Sequence, residues 1–287
     1  MSNSFLYDPL GPRGRRRARL ASLVVIAVSA IVVAFLLQRL GSRGQLESER
    51  RAILLDPATG VPQTLGLAAL ATLKAAGIAM AGALIVGLFL ALGRLSQHRG
   101  TRWLCGITVE GFRGVPLLLL MLFGELGLPR IGIELSLLTI VVLALVAYNS
   151  AVLCEIIRGG VLALDAGQTE ASQAMGVSPG MTLRKVLLPQ AIPQMLPVII
   201  SQVVILLKDT SLGYIIGYSE LLRSGRSVVE FYGNLYALQI YVAVAVIYIG
   251  VNVAISTLAR ATGRRTRRMS SSATKAGPSL AAAPAAP

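Results

Sequence analysis

The stretch of the chain that decides the fold runs from residue 158 to residue 189 and reads RGGVLALDAGQTEASQAMGVSPGMTLRKVLLP. Residues 168–175 are mostly good helix formers and are followed by Gly176, the residue type that most often ends a helix. Ser178 and Pro179 are typical of the first positions of a new helix. We therefore expect two short helices joined at Gly176, either as a docking surface for a partner or as a self-contained turn.

Six apolar segments flank this polar stretch, each close to the roughly 20 residues that a helix needs to cross a bilayer core. They cover residues 20–37, 64–92, 103–126, 135–154, 186 to beyond 209, and a part of 231–259. Hydrophobic residues make up 54% of the 287 positions and charged residues only 14%, against about 25% charged residues in soluble domains. The composition excludes an ordinary soluble protein and predicts an all-α polytopic membrane protein.

Basic residues are concentrated at the two ends of the chain, which carries a formal net charge of +14. Five arginines fall within residues 13–19 and five within residues 260–268. If six spans alternate and the N-terminus is cytoplasmic, most Lys and Arg residues face the cytoplasm, as the positive-inside rule favours. We expect a multi-pass protein of the cell membrane with both termini in the cytoplasm. A nucleic-acid partner is excluded, because no folded basic module remains to bind one.

A spaced motif lies within the decisive stretch: Glu170-Ala171-Ser172, three residues, Gly176, nine residues, and Val186-x-Leu188-Pro189. It resembles the EAA loop of ABC-transporter permeases, whose pattern is Glu-Ala-Ala, three residues, Gly, nine residues and Ile-x-Leu-Pro. Ser172 in place of Ala and Val186 in place of Ile are mild departures. Five collinear stretches narrow the resemblance to permeases for polar amino acids of the histidine, glutamine, glutamate and arginine type: EGFRGVP at 110–116, EIIRGG at 155–160, GQTEA at 167–171, LPQA at 188–191 and LKDTSL at 207–212.

The resemblance implies a type I ABC importer permease with a five-helix core, preceded here by one additional transmembrane helix. It implies pairing with a second permease subunit, homologous or identical, together with ABC ATPase subunits and an extracytoplasmic substrate-binding protein. The EAA loop of such a permease seats on the ATPase, and ATP-driven closure shifts the membrane helices between inward and outward states. The residues placed at this contact are Glu170, Ala171, Ser172, Gly176, Pro179 and Pro189.

The expected organisation along the chain follows from the spans and the resemblance together. It comprises a basic cytoplasmic N-terminus (1–19), a first transmembrane helix (20–40), an external linker (41–63) that could contain a short surface helix, the permease transmembrane domain (64–262) with the cytoplasmic coupling loop (158–189), and a disordered cytoplasmic tail (263–287). Two departures from the usual family pattern, Val115 and the run Asn149-Ser150-Ala151, fall where substrate contacts could change.

The chain is not expected to hydrolyse ATP itself. No lysine follows a glycine, so the phosphate-binding Walker loop cannot form. A single histidine and two isolated cysteines argue against a metal centre. We therefore expect no catalytic residues, no metal and no cofactor, and we expect a separate subunit to hydrolyse ATP.

Charged residues inside apolar segments are the candidates for substrate binding, because each costs about 3 kcal/mol to insert unless it has a partner or lines a polar cavity. Lys208, Asp209 and Thr210 interrupt the fifth segment. Asp209 could bind the ammonium group of an amino acid, or it could form a structural ion pair with Lys208 or Arg113.

Glu110 and Arg113 lie on one face of the third segment, just before Gly114-Val115-Pro116, which should interrupt that helix. An interrupted helix beside charges suits the recognition of a zwitterion. The alternative is an ion pair between the two side chains within their own helix. A glutamate substrate is our first expectation, although Glu110 and Asp209 also suit a basic amino acid.

Two other functions remain open from the residues alone. One is a stand-alone ion-coupled amino-acid carrier, which would need no docking loop. The other is a membrane-anchored assembly or signalling protein whose tails bind a partner.

Overall fold

The computed structural model describes residues 11–45 and 47–275, except for the side chains of residues 12, 48, 49 and 258–275. Within these residues every regular element is helical. The α-helices are α1 (Pro12–Ser42), α2 (Ser48–Ala52), α3 (Val61–Arg94), α4 (Arg99–Gly114), α5 (Leu117–Leu122), α6 (Leu137–Leu162), α7 (Ala166–Ala174), α8 (Pro179–Thr182), α9 (Leu188–Asp209), α10 (Leu221–Tyr232) and α11 (Ala237–Lys275).

The described helices provide six membrane crossings when α4 and α5 count together as one broken span. Five helical runs are long and apolar enough to cross a bilayer alone, and the α4–α5 pair is bent by 94°. The bend falls at Val115 and Pro116, where the backbone leaves the helical region, so the predicted interruption of the third segment is confirmed. The polytopic all-α fold is also confirmed.

Helix α1 lies outside the packed core. Every described side chain from residue 16 to residue 39 is exposed, and none of the most apolar window of the helix is buried. A helix that is apolar all round and unburied by protein is suited to lipid on every side. Its separation agrees with the expectation of one helix added to a five-helix core.

Small residues allow α3 and α6 to pack closely and form the centre of the core. Ala75, Ala79 and Ala83 are fully buried along one side of α3, and Val141 and Leu145 of α6 belong to the same cluster. At Gly87 a Cβ atom would lie only 2.9 Å from the carbonyl oxygen of Ser150. The absence of a side chain at Gly87 therefore sets how closely the two helices approach.

The fifth crossing is one helical run of 36 residues, Pro179–Tyr214. A turn of π-helix at Leu183–Leu187 joins α8 to α9, and a 3₁₀ turn at Thr210–Tyr214 follows α9. Pro193 and Pro197 lie inside α9. At 1.5 Å per residue the run is about 54 Å long, so it extends beyond the bilayer, and α8 forms its protruding end.

Two segments have different bounds from those expected. The linker expected at 41–63 contains the short helix α2 and a 3₁₀ turn at Pro57–Thr59, and α3 already begins at Val61. Helix α11 continues to Lys275, whereas the transmembrane domain was expected to end at residue 262 and a disordered tail to follow. Residues 276–287 lie outside the described residues.

Candidate functional site

The stretch that decides the fold forms a helical hairpin, α7 followed by α8, at one end of the molecule. Asp165 caps α7 by accepting a hydrogen bond of 2.7 Å from the backbone N–H of Gly167. The chain then reverses at Gly176, whose φ of +75° is favourable only for glycine. Both short helices were predicted from the sequence, and the structure confirms them.

A buried hydrogen bond between the hydroxyls of Ser172 and Thr182, 2.8 Å long, joins the two helices of the hairpin. Gln190 of α9 donates to Gln168 of α7 across 3.4 Å. The hairpin is fixed to the long fifth crossing, because α8 is the first part of that helical run. A displacement of the hairpin would be transmitted directly to a membrane-spanning helix.

The outer side of the hairpin is exposed and partly apolar. Glu170, Ala171, Gly176 and Pro179 are exposed, and Pro189 is exposed at the start of α9. Met175 at the turn is 85% exposed. Of the six residues expected at the coupling contact, only Ser172 is buried. Its side chain points toward α8, where its hydroxyl bonds to that of Thr182.

A cleft of about 730 Å³ separates the hairpin from the connection between α3 and α4. Its walls include Gln97 and His98 on one side and Glu170, Gln173 and Pro179 on the other. The α3–α4 connection, the end of α6 and the hairpin therefore form one concave surface. We call this end of the molecule the hairpin end. The end that carries α10 is called the opposite end.

Lys208 and Asp209, which are adjacent in sequence, face different surroundings. Lys208 lines a cavity of about 420 Å³ between α9 and α11, together with Ser211, Tyr241 and Asn252. Asp209 is half-buried and does not line that cavity. No described basic side chain lies within 4.0 Å of the Asp209 carboxylate. Neither predicted ion pair, with Lys208 or with Arg113, is therefore formed.

Thr210 is fully buried at the end of α9. Its hydroxyl donates to the carbonyl oxygen of Leu207 across 2.6 Å. The side chain thus faces its own helix, and it is Lys208 of this trio that is directed into the cavity.

Glu110 and Arg113 do not pair with each other. Arg94 of α3 instead lies 3.5 Å from Glu110 and 3.3 Å from Glu155 of α6. Arg158 lies 2.9 Å from Glu155. The expected ion pair within α4 is therefore replaced by a network that joins α3, α4 and α6. Arg113 lines a cavity to which Glu155 of this network also contributes.

Two buried polar contacts were not predicted. The amide of Gln202 in α9 donates to Asn149 of α6 across 2.7 Å. The carboxylate of Glu220, fully buried, accepts 2.9 and 2.8 Å hydrogen bonds from the backbone N–H groups of Leu222 and Arg223 and a 2.6 Å hydrogen bond from the hydroxyl of Tyr248. The sequence shows only that Gln202 and Glu220 are polar residues in or beside apolar segments. It does not indicate that they bond to Asn149 and Tyr248.

Burial raises the pKa of the Glu220 carboxyl above its usual range, although the hydrogen bonds from Tyr248 and the two backbone N–H groups act in the lowering direction. Glu220 also begins α10 as its N-cap residue. It therefore connects α10 to α11 at the opposite end of the molecule.

The family of the chain is shown by its sequence. Residues 83–268 match the family described as the binding-protein-dependent transport system inner membrane component. This chain belongs to that family. The match covers more than half of the chain and includes the hairpin, the broken span and the whole of α9.

Curated relatives of this permease act on polar amino acids. It is 39% identical over 232 residues to the glutamate transport system permease protein GluD of Corynebacterium glutamicum, covering 79% of this chain and 84% of the relative. It is 34% identical over 196 residues to the glutamine transport system permease protein GlnP of Escherichia coli, covering 68% and 89%. It is 34% identical to the arginine transport system permease protein ArtQ of Bacillus subtilis, covering 53% and 70%.

Solved structures agree with the fold. An amino acid ABC transporter crystallised with histidines has a chain with a TM-score of 0.67 and 30% identity to this permease, covering 73% of this chain and 97% of that one. The inward-facing MetNI methionine transporter, at 21% identity and a TM-score of 0.57, shares the fold. The predicted membership among polar amino-acid ABC permeases is confirmed, and with it a multi-pass membrane location.

Proposed function

We propose that this amino-acid permease imports L-glutamate and that a separate ABC ATPase drives it by binding the α7–α8 hairpin. The hairpin is the observation that carries the proposal. It protrudes from the membrane helices, exposes Glu170 and Met175 at its outer side, and is continuous with the fifth crossing through α8. Movement of a bound ATPase would therefore move α9 as well.

The glutamate proposal is supported by a relative and by a cavity. The relative GluD, named for glutamate transport, is 39% identical over 79% of the chain. Lys208 is the one cation in the lining of its cavity, which is mostly apolar and includes Leu222, Val244, Ala245 and Ile249. A substrate carboxylate that entered it would pair with Lys208. We propose that Lys208 binds a substrate carboxylate and that Asp209, which is half-buried and lies outside the Lys208 cavity, binds the ammonium group at a separate contact.

The proposed assembly is that of a binding-protein-dependent importer. A second permease subunit, homologous or identical, would complete the path, and an extracytoplasmic binding protein would deliver the amino acid to the opposite end. The hairpin end and both termini would face the cytoplasm, consistent with the basic residues at the two ends of the chain.

The coupling proposal is tested by Gly176→Asp in the complete transporter. A side chain at φ +75° strains the turn and alters the exposed surface of the hairpin, so the ATPase should be lost on purification and uptake should cease. Gly132→Asp is the matched control, because Gly132 also has a positive φ of +79° and open space around it but lies before α6 at the opposite end. Retained ATPase binding and uptake in Gly176→Asp would contradict the coupling proposal.

The substrate proposal is tested by uptake of L-glutamate, L-glutamine, L-arginine and L-cystine in proteoliposomes. Lys208→Gln should raise the KM for L-glutamate at least tenfold, and Asp209→Asn should abolish uptake while the subunits stay assembled. Lys74→Gln is the control, because Lys74 is also an exposed lysine within a crossing but lines none of these cavities. If L-glutamate uptake is absent in the unmodified transporter, the glutamate proposal is wrong.

A further inference from the structure

We propose that the part of α11 beyond the apolar run binds anionic lipid headgroups in the leaflet at the hairpin end. The last crossing is uncharged from Phe231 to Ala259, and Arg260 follows it directly. Helix α11 does not end there but continues to Lys275, which adds about 22 Å of helix. This extension, residues 260–275, plays no part in the proposed function.

The register of α11 places most of the basic positions of the extension on one side. Successive residues of a helix are rotated by about 100°. Five of the six basic positions therefore fall within an arc of about 100°, namely 260, 264, 267, 268 and 275. We call these five positions the basic stripe. Position 265 lies outside the arc, about 60° from its edge.

The basic stripe continues the exposed apolar side of the crossing. Val242, Val246 and Ile249 are 51%, 62% and 62% exposed, and each lies 18 residues, or about five turns, before a position of the stripe. Ile240 and Val244 lie on the other side of the helix and are buried in the core. Because the exposed side chains carry only hydrocarbon, they suit contact with lipid chains. The stripe then lies where the headgroups of those lipids would be.

The distance from the apolar run also suits headgroups. Position 260 adjoins the run, and position 268 lies about 12 Å beyond position 260. The headgroup layer adds about 5–8 Å on each side of the bilayer core, and exposed charges interact over a Debye length of about 8 Å at physiological salt. Long arginine side chains can also reach toward the headgroups. The four arginine positions of the stripe are thus within range of lipid phosphates.

The sequence around the stripe provides no acidic residue to neutralise it. Residues 231–287 contain no Asp or Glu. The start of α1 adds further positive charge at the same leaflet. Helix α1 ends close to the start of α11, where Gln239 donates a hydrogen bond to Gln45, so its other end, with five arginines within residues 13–19, lies on the hairpin side of the membrane. An anionic leaflet is complementary to this charge, and each Lys or Arg near its surface strengthens binding about fivefold.

The test measures lipid binding to the purified complete transporter by native mass spectrometry. Dioleoyl phosphatidylglycerol and dioleoyl phosphatidylcholine, which have the same acyl chains, are titrated separately. We expect phosphatidylglycerol to bind the unmodified protein at least tenfold more tightly than phosphatidylcholine. Arg264→Gln should weaken phosphatidylglycerol binding about fivefold. Arg265→Gln is the matched control, because it removes the same charge from the next position of the same helix but outside the stripe, and it should change binding less than twofold.

A second pair of variants separates charge from folding. Replacement of all four arginines of the stripe by Gln should remove the preference for phosphatidylglycerol, and replacement by Lys should retain it. Equal affinity of the two lipids for the unmodified protein would overturn the inference, as would equal weakening by Arg264→Gln and Arg265→Gln. Loss of another subunit from Arg264→Gln with an unchanged lipid preference would show that the stripe contacts protein instead. Amino-acid uptake is not measured, so failure of the substrate proposal would leave this result unaffected.

Discussion

Two hydroxyl groups hold the α7–α8 hairpin together, and they are not equivalent. Thr182 bonds both to Ser172 and to the carbonyl oxygen of Ser178, at 2.8 and 3.1 Å. The hydroxyl of Ser172 has that of Thr182 as its only hydrogen-bond partner among the described residues. Removal of Thr182 therefore leaves a buried hydroxyl unsatisfied, whereas removal of Ser172 leaves Thr182 with a partner.

This asymmetry gives a prediction at the residue scale. Thr182→Val should destabilise the hairpin by about 1–3 kcal/mol, the cost of an unsatisfied buried hydroxyl, and Ser172→Ala should destabilise it less. Thermal unfolding of the purified complex and ATPase activity stimulated by the binding protein are the measurements. Ser178→Ala should change neither, because the hydroxyl of Ser178 makes no capping hydrogen bond. An equal effect of Thr182→Val and Ser172→Ala would contradict this account.

Local chemistry at single residues was predictable from the sequence, and contacts distant in sequence were not. The turn at Gly176 and the break after Gly114 follow from the conformational limits of glycine and proline, which act within a few residues. The partner of Glu110 was predicted to be Arg113 or a substrate. It is Arg94, sixteen residues away, because the approach of α3 to α4 decides the pairing.

At the scale of the elements, the contact between α3 and α6 depends on the absence of a side chain. A Cβ at position 87 would lie 2.9 Å from a backbone oxygen of α6, a distance that real Cβ atoms almost never show. Backbone cannot move aside as the end of a flexible side chain can. The two helices would have to separate along their whole buried contact.

Gly87→Ala should therefore destabilise the permease more than a glycine-to-alanine change elsewhere in the same helix. Gly77→Ala is the matched control, because nothing lies within 4 Å of a Cβ at that position, and alanine is the better helix former. We expect Gly87→Ala to lower the thermal unfolding temperature and the yield of monodisperse complex. Equal unfolding temperatures for the two variants would show that the helices can adjust at no cost.

The predicted spans matched the helices well in their centres and less well at their ends. Hydropathy reports which residues favour the bilayer interior, so it does not show where a helix continues beyond the bilayer into water. The run that contains α9 continues in this way through α8, and α11 continues toward Lys275. The different directions of Lys208 and Asp209 were also beyond the sequence pattern. Adjacent residues on a helix differ by about 100°, but only the packed neighbours show which side each one faces.

At the scale of the whole molecule, α1 is separable from the rest. Its apolar side chains are exposed throughout, and the family match begins only at residue 83. Just after the end of α1, the carbonyl oxygen of Gln45 accepts a 2.6 Å hydrogen bond from the side-chain amide of Gln239 in α11. This bond connects the chain to the core.

Deletion of residues 2–43 should leave the five-helix core folded, because none of the described side chains between residues 11 and 43 is a buried apolar one and because Gln45 is retained. The truncated chain should keep the thermal unfolding temperature of the complex within a few degrees and should keep its ATPase partner. Replacement of residues 20–37 by an unrelated apolar helix of equal length is the control for effects on insertion. A truncated chain that inserts but no longer assembles would show that α1 has a partner in the transporter.

The isolation of α1 also bears on how the chain is made. It precedes the other described crossings along the chain, and its arginine-rich start together with its uninterrupted apolar length favours insertion independent of later segments. Because it needs no neighbour to be stable in lipid, its orientation is decided before the remaining crossings have been synthesised. Successive crossings alternate in direction, so the orientation of α1 would determine the direction of each crossing that follows it.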